Sequence, residues 1–280
     1  MKLETMEQEI AKTTRPTIKA VELILSPYSG TKISASLWAS LMRLLFLEVE
    51  PASEKAGDIA RNFYDAERSR VFPDAPRNDV YRATLTFEQF LEDMQDVYPL
   101  FARKYSVPED IHRAALRATR SIENTARWTV INAVNAPDPY LDDGPSVTFE
   151  ESEDEFEVTY ATEEERNQER MQKGIRTWAR VATGAETCGW CIMLCSRGPV
   201  YGSAEKAGSI RAWHDGCDCK VVPVFDTQNW KGRERFLAAD RMYRRVADDY
   251  DLRGKDVINA MRRAANRGDF KKFLSEVESE

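Results

Sequence analysis

The five cysteines of this 280-residue chain are confined to one short stretch, and this clustering constrains the fold more than any other feature. One of only two histidines, His214, lies in the same stretch. The spacing is C-x2-C, then about two dozen residues, then H-x2-C-x-C. Thiolate and imidazole groups that converge from two short segments are typical ligands of tetrahedral zinc. We therefore predict a structural zinc site whose ligands are drawn from Cys188, Cys191, His214, Cys217 and Cys219.

The spacing leaves the ligand set open, because a tetrahedral site takes four ligands. Cys188 and Cys191 can hold one metal from a tight turn, and either Cys217 or Cys219 can join His214. Zinc would stabilise a short segment that has little core of its own. The alternative is a group of reduced thiols that only pack, with His214 in a hydrogen-bonded structural role. A redox role for the C-G-W-C sequence is a weaker alternative, because thioredoxin-like motifs occupy a βαβ context that is not visible here.

An ordered set of short motifs surrounds these cysteines. It consists of Thr183-Gly184, Cys188-Gly189-Trp190-Cys191, Ser196-Arg197-Gly198-Pro199-Val200-Tyr201, His214-Asp215-Gly216-Cys217-Asp218-Cys219 and Val222-Pro223-Val224-Phe225. In this order the set resembles the phage Mu F-like minor head proteins, also called head morphogenesis proteins, in the form found in tailed phages of actinobacteria. The stretch ARNFYDAERSR also resembles their N-terminal region, although core packing explains its Phe63-Tyr64 pair at least as well. Cys195 departs from the family pattern, which has a small residue there.

The resemblance implies a minor capsid or head morphogenesis protein without catalytic activity. Such a protein acts near the portal vertex, in procapsid assembly or in DNA packaging and delivery. The implied partners are the portal protein and the major capsid or scaffolding protein, with packaged DNA as a further candidate and no membrane. The implied location is the virion, in the capsid interior or at the portal vertex, and the host cytoplasm during assembly. Arg197, Gly198 and Tyr201 match the family's loop between the two cysteine segments, where we expect a structural role.

Composition limits the other function classes. The net charge is −7 with 31% charged residues, which argues against a protein that coats DNA nonspecifically, since phosphate binding needs a surplus of Lys and Arg. No apolar run is long enough to span a membrane, and the N-terminal sequence lacks the apolar core of a signal peptide. Clustered cysteines in such a chain are typical of a metal site in a reducing cytoplasm.

The hydrophobic pattern predicts a mainly α fold: an N-terminal helical bundle, a small α+β unit rich in cysteine and histidine, and C-terminal helices. The expected divisions are an N-terminal helical region (1–136), an acidic linker or hairpin (137–162), the Mu F-like cysteine-rich domain (163–228) and C-terminal helices (229–280). Helices are predicted at 4–25, 34–49, 51–70, 86–104, 108–135, 163–182, 230–249 and 254–278. Pro16 could begin a second piece of the first helix, with a mobile arm before it.

The segment 34–70 carries more apolar surface than an isolated helical hairpin can hide. We predict that its large side chains are buried in this chain's own bundle or against a portal or capsid partner. The residues are Trp38, Leu41, Leu45, Phe46 and Phe63.

Two other functions remain open at the level of sequence. A capsid maturation protease would need a histidine base, but only His112 and His214 are present and no G-x-S-x-G motif occurs. A DNA-binding internal head protein could use the arginines of the C-terminal helices. Aspartates are interleaved with those arginines, which is more typical of a solvated helix face with i,i+4 ion pairs.

Overall fold

The computed structural model describes residues 1–78, 82–103, 106–138, 140–141, 176–184, 187–200, 213–248 and 255–280. Within these ranges the chain forms nine helices and one two-stranded antiparallel sheet, so the predicted mainly α class is confirmed. None of the helices in the described ranges has both the length and the apolar character needed to cross a membrane.

Three long helices form the N-terminal bundle: α1 (Leu3–Leu25), α2 (Ala35–Val71) and α5 (Pro108–Asn135), and each packs against the other two. Their start signals are local. The Ser34 hydroxyl accepts a hydrogen bond from the Leu37 N–H (3.2 Å), and the Asp110 carboxylate accepts one from the Val107 N–H (2.9 Å). These contacts satisfy N–H groups that have no partner inside the helix.

Pro16 and Pro51 lie inside continuous helices, so the predicted breaks at these two positions are wrong. A proline in a helix interior costs about 3 kcal/mol because it removes one hydrogen bond and crowds the preceding turn. Here the apolar stripe is buried on both sides of each proline, for example at Ile10 and Val21 of α1. Burial of this stripe outweighs the local penalty, and residues 3–15 belong to the bundle rather than to a mobile arm.

The predicted helix at 86–104 is two helices, α3 (Phe87–Gln95) and α4 (Tyr98–Ala102). Thr86 begins α3 with a capping box, in which its side chain and that of Gln89 each accept a backbone N–H. The separation follows from Pro99, whose ring would clash with the carbonyl group of Gln95 in a continuous helix.

A small sheet lies beside the bundle, formed by β1 (Thr177–Val181) and β2 (Lys220–Val224) with Ala179 opposite Val222. The predicted helix at 163–182 is therefore wrong over residues 177–181, and residues 163–175 of that prediction lie outside the described ranges. All five residues of β1 are buried, Thr177 and Arg180 included, so the strand has no exposed face and TWARV lacks the regular alternation of apolar and polar residues. Periodicity alone cannot distinguish such a strand from a buried helix.

Four further helices complete the fold: α6 (Gly189–Cys195), α7 (Arg233–Asp248), α8 (Lys255–Asn266) and α9 (Asp269–Glu278). The predicted helix at 254–278 is divided into α8 and α9 by Gly268, whose φ of 81° is favourable only for glycine. The last three helices pack on one another, and α6 packs against α7 and α8.

One hydrophobic core runs through the bundle, the sheet and the C-terminal helices. The five large side chains predicted to be buried in segment 34–70 are all part of it: Trp38, Leu41, Leu45, Phe46 and Phe63. Trp38 stacks on Phe101 with ring centroids 5.1 Å apart. The prediction is confirmed for burial within the chain's own core.

A buried ion pair joins the ends of α2 and α5. The Arg68 guanidinium donates to both carboxylate oxygens of Asp138, at 2.8 and 3.0 Å, and to the Pro76 carbonyl at 2.8 Å. Asn78 donates to the same carboxylate at 3.3 Å and to the Tyr64 hydroxyl at 3.2 Å. The loop after α2 is thereby fixed to the residues that follow α5.

We expect Asp138→Ala to lower the free energy of unfolding by about 3–5 kcal/mol, because it leaves the Arg68 charge buried without its carboxylate. Chemical denaturation followed by circular dichroism measures this change. The control is Asp240→Ala, which removes the partner of a largely exposed arginine, Arg244, and should cost at most about 1 kcal/mol. Equal effects of the two substitutions would contradict a structural role for the buried pair.

Candidate metal centre

The C-x2-C half of the site is the first turn of α6. Cys188 is the N-cap residue, and its sulfur accepts a hydrogen bond from the Cys191 N–H at 3.4 Å. N-cap and third helical positions lie on the same side of a helix start, which explains why this spacing directs both sulfurs to one point. Cys188 is exposed and Cys191 is buried, so the pair extends from the surface into the core.

The H-x2-C-x-C half is a tight turn that leads into β2. The Cys217 N–H donates to the His214 carbonyl at 3.1 Å, and Gly216 has a φ of 71°. Positive φ at the third position of such a turn favours glycine. The turn places His214 and Cys217 side by side, and Cys219 immediately precedes the first residue of the strand.

The two halves meet through Cys191. The His214 Nε2 atom lies 3.1 Å from the Cys188 sulfur and 3.2 Å from the Cys191 sulfur. The Cys191 sulfur is also 3.4 Å from that of Cys217 and 3.8 Å from that of Cys219, and the last two sulfurs are 3.0 Å apart. Two groups of three ligands that could hold a metal ion result, Cys188–Cys191–His214 and Cys191–Cys217–Cys219, with Cys191 common to both.

These separations fit a metal better than a disulfide. All five cysteines are free thiols, and a disulfide would need a sulfur–sulfur distance near 2.05 Å. Tetrahedral zinc with bonds of about 2.3 Å to sulfur places its sulfur ligands roughly 3.8 Å apart. The Cys191–Cys219 distance equals this value, and the other two sulfur contacts are shorter. The set of soft sulfur donors with one imidazole nitrogen is a zinc-type set.

The electrostatics of the cluster favour a thiolate next to a protonated imidazole. Hydrogen bonds from Cys191 and His214 lower the pKa of Cys188 to about 4, and the bond to Cys188 raises the pKa of His214 to about 9. Contacts with Cys191 and Cys219 also lower the pKa of Cys217, whereas its thiol neighbours raise the pKa of Cys191. Thiolate at Cys188 and Cys217 suits a cation, and a cation that binds through His214 displaces the imidazole proton, because a metal ligand must be deprotonated.

Cys195 lies outside both groups of ligands. It is the last residue of α6 and is 1% exposed, and burial raises the pKa of its thiol well above the ordinary value. Its chemistry is that of a buried structural cysteine.

Two of the other predicted motif residues, Arg197 and Gly198, belong to neither group of ligands. Arg197 is exposed. Gly198 has a φ of 66°, and a Cβ atom there would lie 2.7 Å from the ring of Phe236 in α7. Tyr201 lies outside the described residues.

Glycines of the motif set mark close approaches between segments. A Cβ atom on Gly184 would lie 1.8 Å from the Asp218 carboxylate, and one on Gly189 would lie 2.5 Å from the backbone of α8 at Met261. Thr183 and Thr187 donate to Asp218 through its carbonyl (2.7 Å) and its carboxylate (3.1 Å). Asp218 therefore connects the segment before α6 to the segment before β2.

Three arginines of α5 hold the second half of the site, and the sequence analysis missed all of them. Arg117 pairs with Asp215 at 2.8 Å, and Arg120 donates to the Trp213 carbonyl at 3.3 Å. Arg127 donates to the carbonyls of Cys217 (2.8 Å) and Cys219 (3.2 Å). Their spacings of three and seven residues place them on one helix face, which is the signal that could have identified them.

The indole of Trp213, next to His214, lies under two guanidinium groups. Arg127 is 4.5 Å from the ring centroid and Arg180 of β1 is 3.6 Å from it. Both are cation–π contacts in a buried setting. They fix the chain immediately before the turn formed by residues 214–217.

Comparisons with known proteins confirm that this is a bacteriophage protein, but the family and the relatives that match are not named as Mu F-like minor head proteins. The family model described as VG15 protein matches residues 1–246. The Gene 15 protein of Mycobacterium phage L5 is 31% identical over 297 aligned positions, covering 89% of this chain and 90% of the relative. The Gene 15 protein of Mycobacterium phage D29 is 30% identical over 290 positions, covering 89% and 94%. No solved structure matches the chain. The family model covers most of this chain, and the two phage relatives align with it over nearly all of their own length. The chain therefore belongs to the VG15 protein family of bacteriophages.

Proposed function

We propose that this protein is a minor capsid or head morphogenesis protein that acts near the portal vertex, in procapsid assembly or in DNA packaging and delivery. The observation that carries the proposal is the ordered set of cysteine-segment motifs, which resembles the Mu F-like minor head proteins. Membership of a bacteriophage protein family supports it. The Gene 15 names of the relatives specify no role, so the finer assignment rests on the motifs.

The geometry supports this use of the motifs, because the residues of the resemblance form one packed unit. Gly184 contacts Asp218, Gly189 contacts α8, and Gly198 contacts α7. The exit sequence ends in Phe225, whose ring packs edge-on against Tyr64 of α2 at 5.6 Å. The two stretches that resemble Mu F-like proteins, one in α2 and one around the cysteines, are therefore in contact.

We also propose that the cysteine cluster binds one structural zinc ion. Cys188, Cys191 and His214 would supply three ligands, and Cys217 or Cys219 the fourth. In the part of this unit that the structure describes, the regular elements are two short strands and one short helix, and metal binding would add free energy to that small framework. Zinc would join α6 to β2 across the long intervening segment.

The partner contacts of this proposal are with the portal protein and with the major capsid or scaffolding protein. Leu44 and Leu47 of α2 are 52% and 66% exposed and lie three residues apart, on neighbouring positions of one helix face. Exposed apolar side chains of this kind are suited to protein contacts.

Two observations weigh against the alternative functions. Both ring nitrogens of His214 are engaged, one with the thiols and the other with the Asp215 carbonyl at 2.9 Å, and His112 is exposed on α5. In the C-terminal helices Arg241 pairs with Glu280 and Arg244 with Asp240. A DNA phosphate would have to displace these carboxylates, so we propose neither a protease nor a DNA-binding function.

The assembly role predicts that the protein is part of the particle. Mass spectrometry of purified procapsids and mature heads of the encoding phage should detect it in at least one of the two, at fewer copies than the major capsid protein. The amount of host proteins detected in the same gradient fractions gives the background level of contamination. Consistent absence from both kinds of particle would contradict the minor capsid proposal.

The zinc site predicts one equivalent of zinc in protein purified without chelator, measured by elemental analysis. Cys191→Ser should lose the metal, because Cys191 belongs to both groups of ligands. Cys195→Ser is the matched control: it alters a buried cysteine of the same helix that lies outside both groups, and it should keep the metal. Wild-type protein with less than a tenth of an equivalent of zinc would show that the cysteines only pack.

A further inference from the structure

The guanidinium of Arg127 is the one cation of the bundle that is buried directly against the cysteine cluster among the described residues. Its side chain is 1% exposed. Its Nη2 atom donates to the Cys217 carbonyl at 2.8 Å and its Nε atom to the Cys219 carbonyl at 3.2 Å. Removing a guanidinium from water is costly unless charges and hydrogen bonds compensate, so its surroundings must supply both.

The remaining contacts of Arg127 complete that compensation. Its Nη1 atom donates to the Asn124 side-chain oxygen at 2.9 Å, and Nη2 also donates to the Glu123 carboxylate at 2.7 Å. One face of the planar guanidinium group lies over the Trp213 indole. A planar fork with donors fixed at set angles can bind both carbonyls at once, which a lysine ammonium on a flexible stem cannot do in the same geometry.

The positive charge of the Arg127 guanidinium also bears on the net charge of the metal site. Zinc with three thiolates and one imidazole carries one excess negative charge. Lys220, 7% exposed, pairs with Glu123 at 3.2 Å, so Arg127, Lys220 and Glu123 together carry one excess positive charge. Among the site, Arg127, Lys220 and Glu123 the charges sum to zero, whereas a four-thiolate site with the same three side chains would carry one net negative charge. The balance favours a Cys3His set, with one cysteine of the Cys217 and Cys219 pair left as a thiol.

We propose that Arg127 is the positioning residue of the metal centre: it fixes the carbonyls of Cys217 and Cys219, and thereby the direction of their side chains, and it balances the charge of the loaded site. Zinc affinity then depends on a residue of α5, more than 60 positions before the first ligand. This proposal rests on the zinc site of the proposed function and names a residue outside the ligand set that sets its zinc affinity.

The test compares zinc dissociation constants, measured by competition with a chromophoric chelator, for wild type, Arg127→Met and Arg127→Lys. Loss of a residue that orients metal ligands typically costs 10–100-fold in affinity, and we expect a loss in this range for Arg127→Met. Arg127→Lys keeps the charge but not the fork, so its affinity should lie between the two. The absorption spectrum of the cobalt-substituted proteins reports whether the thiolate ligand geometry has changed.

Arg68→Met is the matched control. Arg68 is equally buried, at 3% exposure, and its removal also leaves a buried partner unpaired, but its contacts are with Asp138 and the loop after α2. It should lower stability while leaving zinc affinity and the cobalt spectrum unchanged. The comparison separates a general loss of stability from an effect on the site.

The outcomes distinguish this inference from the zinc proposal. A wild-type protein that binds no zinc overturns both, and is recognised before any variant is made. If the wild type binds zinc and both Arg127→Met and Arg127→Lys bind it with wild-type affinity, the role of Arg127 alone is overturned. If Arg127→Met does not fold, Arg127→Lys decides: weaker zinc binding with an altered cobalt spectrum supports the role, and wild-type values overturn it.

Discussion

Hydrogen bonds from a row of arginines on α5 hold the segment that carries His214, Cys217 and Cys219, and the rest of the cysteine-rich region depends on them. This segment is a turn that precedes β2, so its carbonyl groups have few partners in regular secondary structure. Buried carbonyls without donors would cost free energy comparable to lost hydrogen bonds. Arg120 and Arg127 supply the donors, and Arg117 fixes the Asp215 carboxylate.

With that segment in place, the other contacts follow. The sulfurs of Cys217 and Cys219 face Cys191, which anchors α6. Helix α6 in turn forms the surface on which α7 and α8 pack, and α8 approaches it so closely that only glycine fits at position 189. The core is therefore continuous from the bundle to the C-terminal helices, and a metal at the cluster would lie at the junction of these layers.

The sequence was informative wherever a local signal and the tertiary environment agree. Helix α5 begins at Pro108 and ends at Asn135, as expected from its acidic first turn and its apolar spacing. The prolines of α1 and α2 were misjudged because their local penalty is smaller than the burial gained by a continuous stripe. Strand β1 was missed because all five of its residues are buried, so its apolar and polar residues do not alternate with the period of a half-exposed strand. For the site, the spacing of the cysteines identified the thiols that converge. An arginine in a helix is usually a solvated charge, so the alignment of Arg127 with Arg117 and Arg120 on one helix face gained its meaning from the burial of Arg127.

The contacts of Arg127 also determine the order in which the protein can be built. They join residues 90 and 92 positions apart along the chain. Closing a chain over such a span costs conformational entropy before the contact stabilises anything, so these contacts form after the local helices. Synthesis proceeds from the N-terminus, so all residues of α5 are synthesised well before the turn that contains His214. We therefore expect the bundle to form first and the cysteine-rich region to fold onto it.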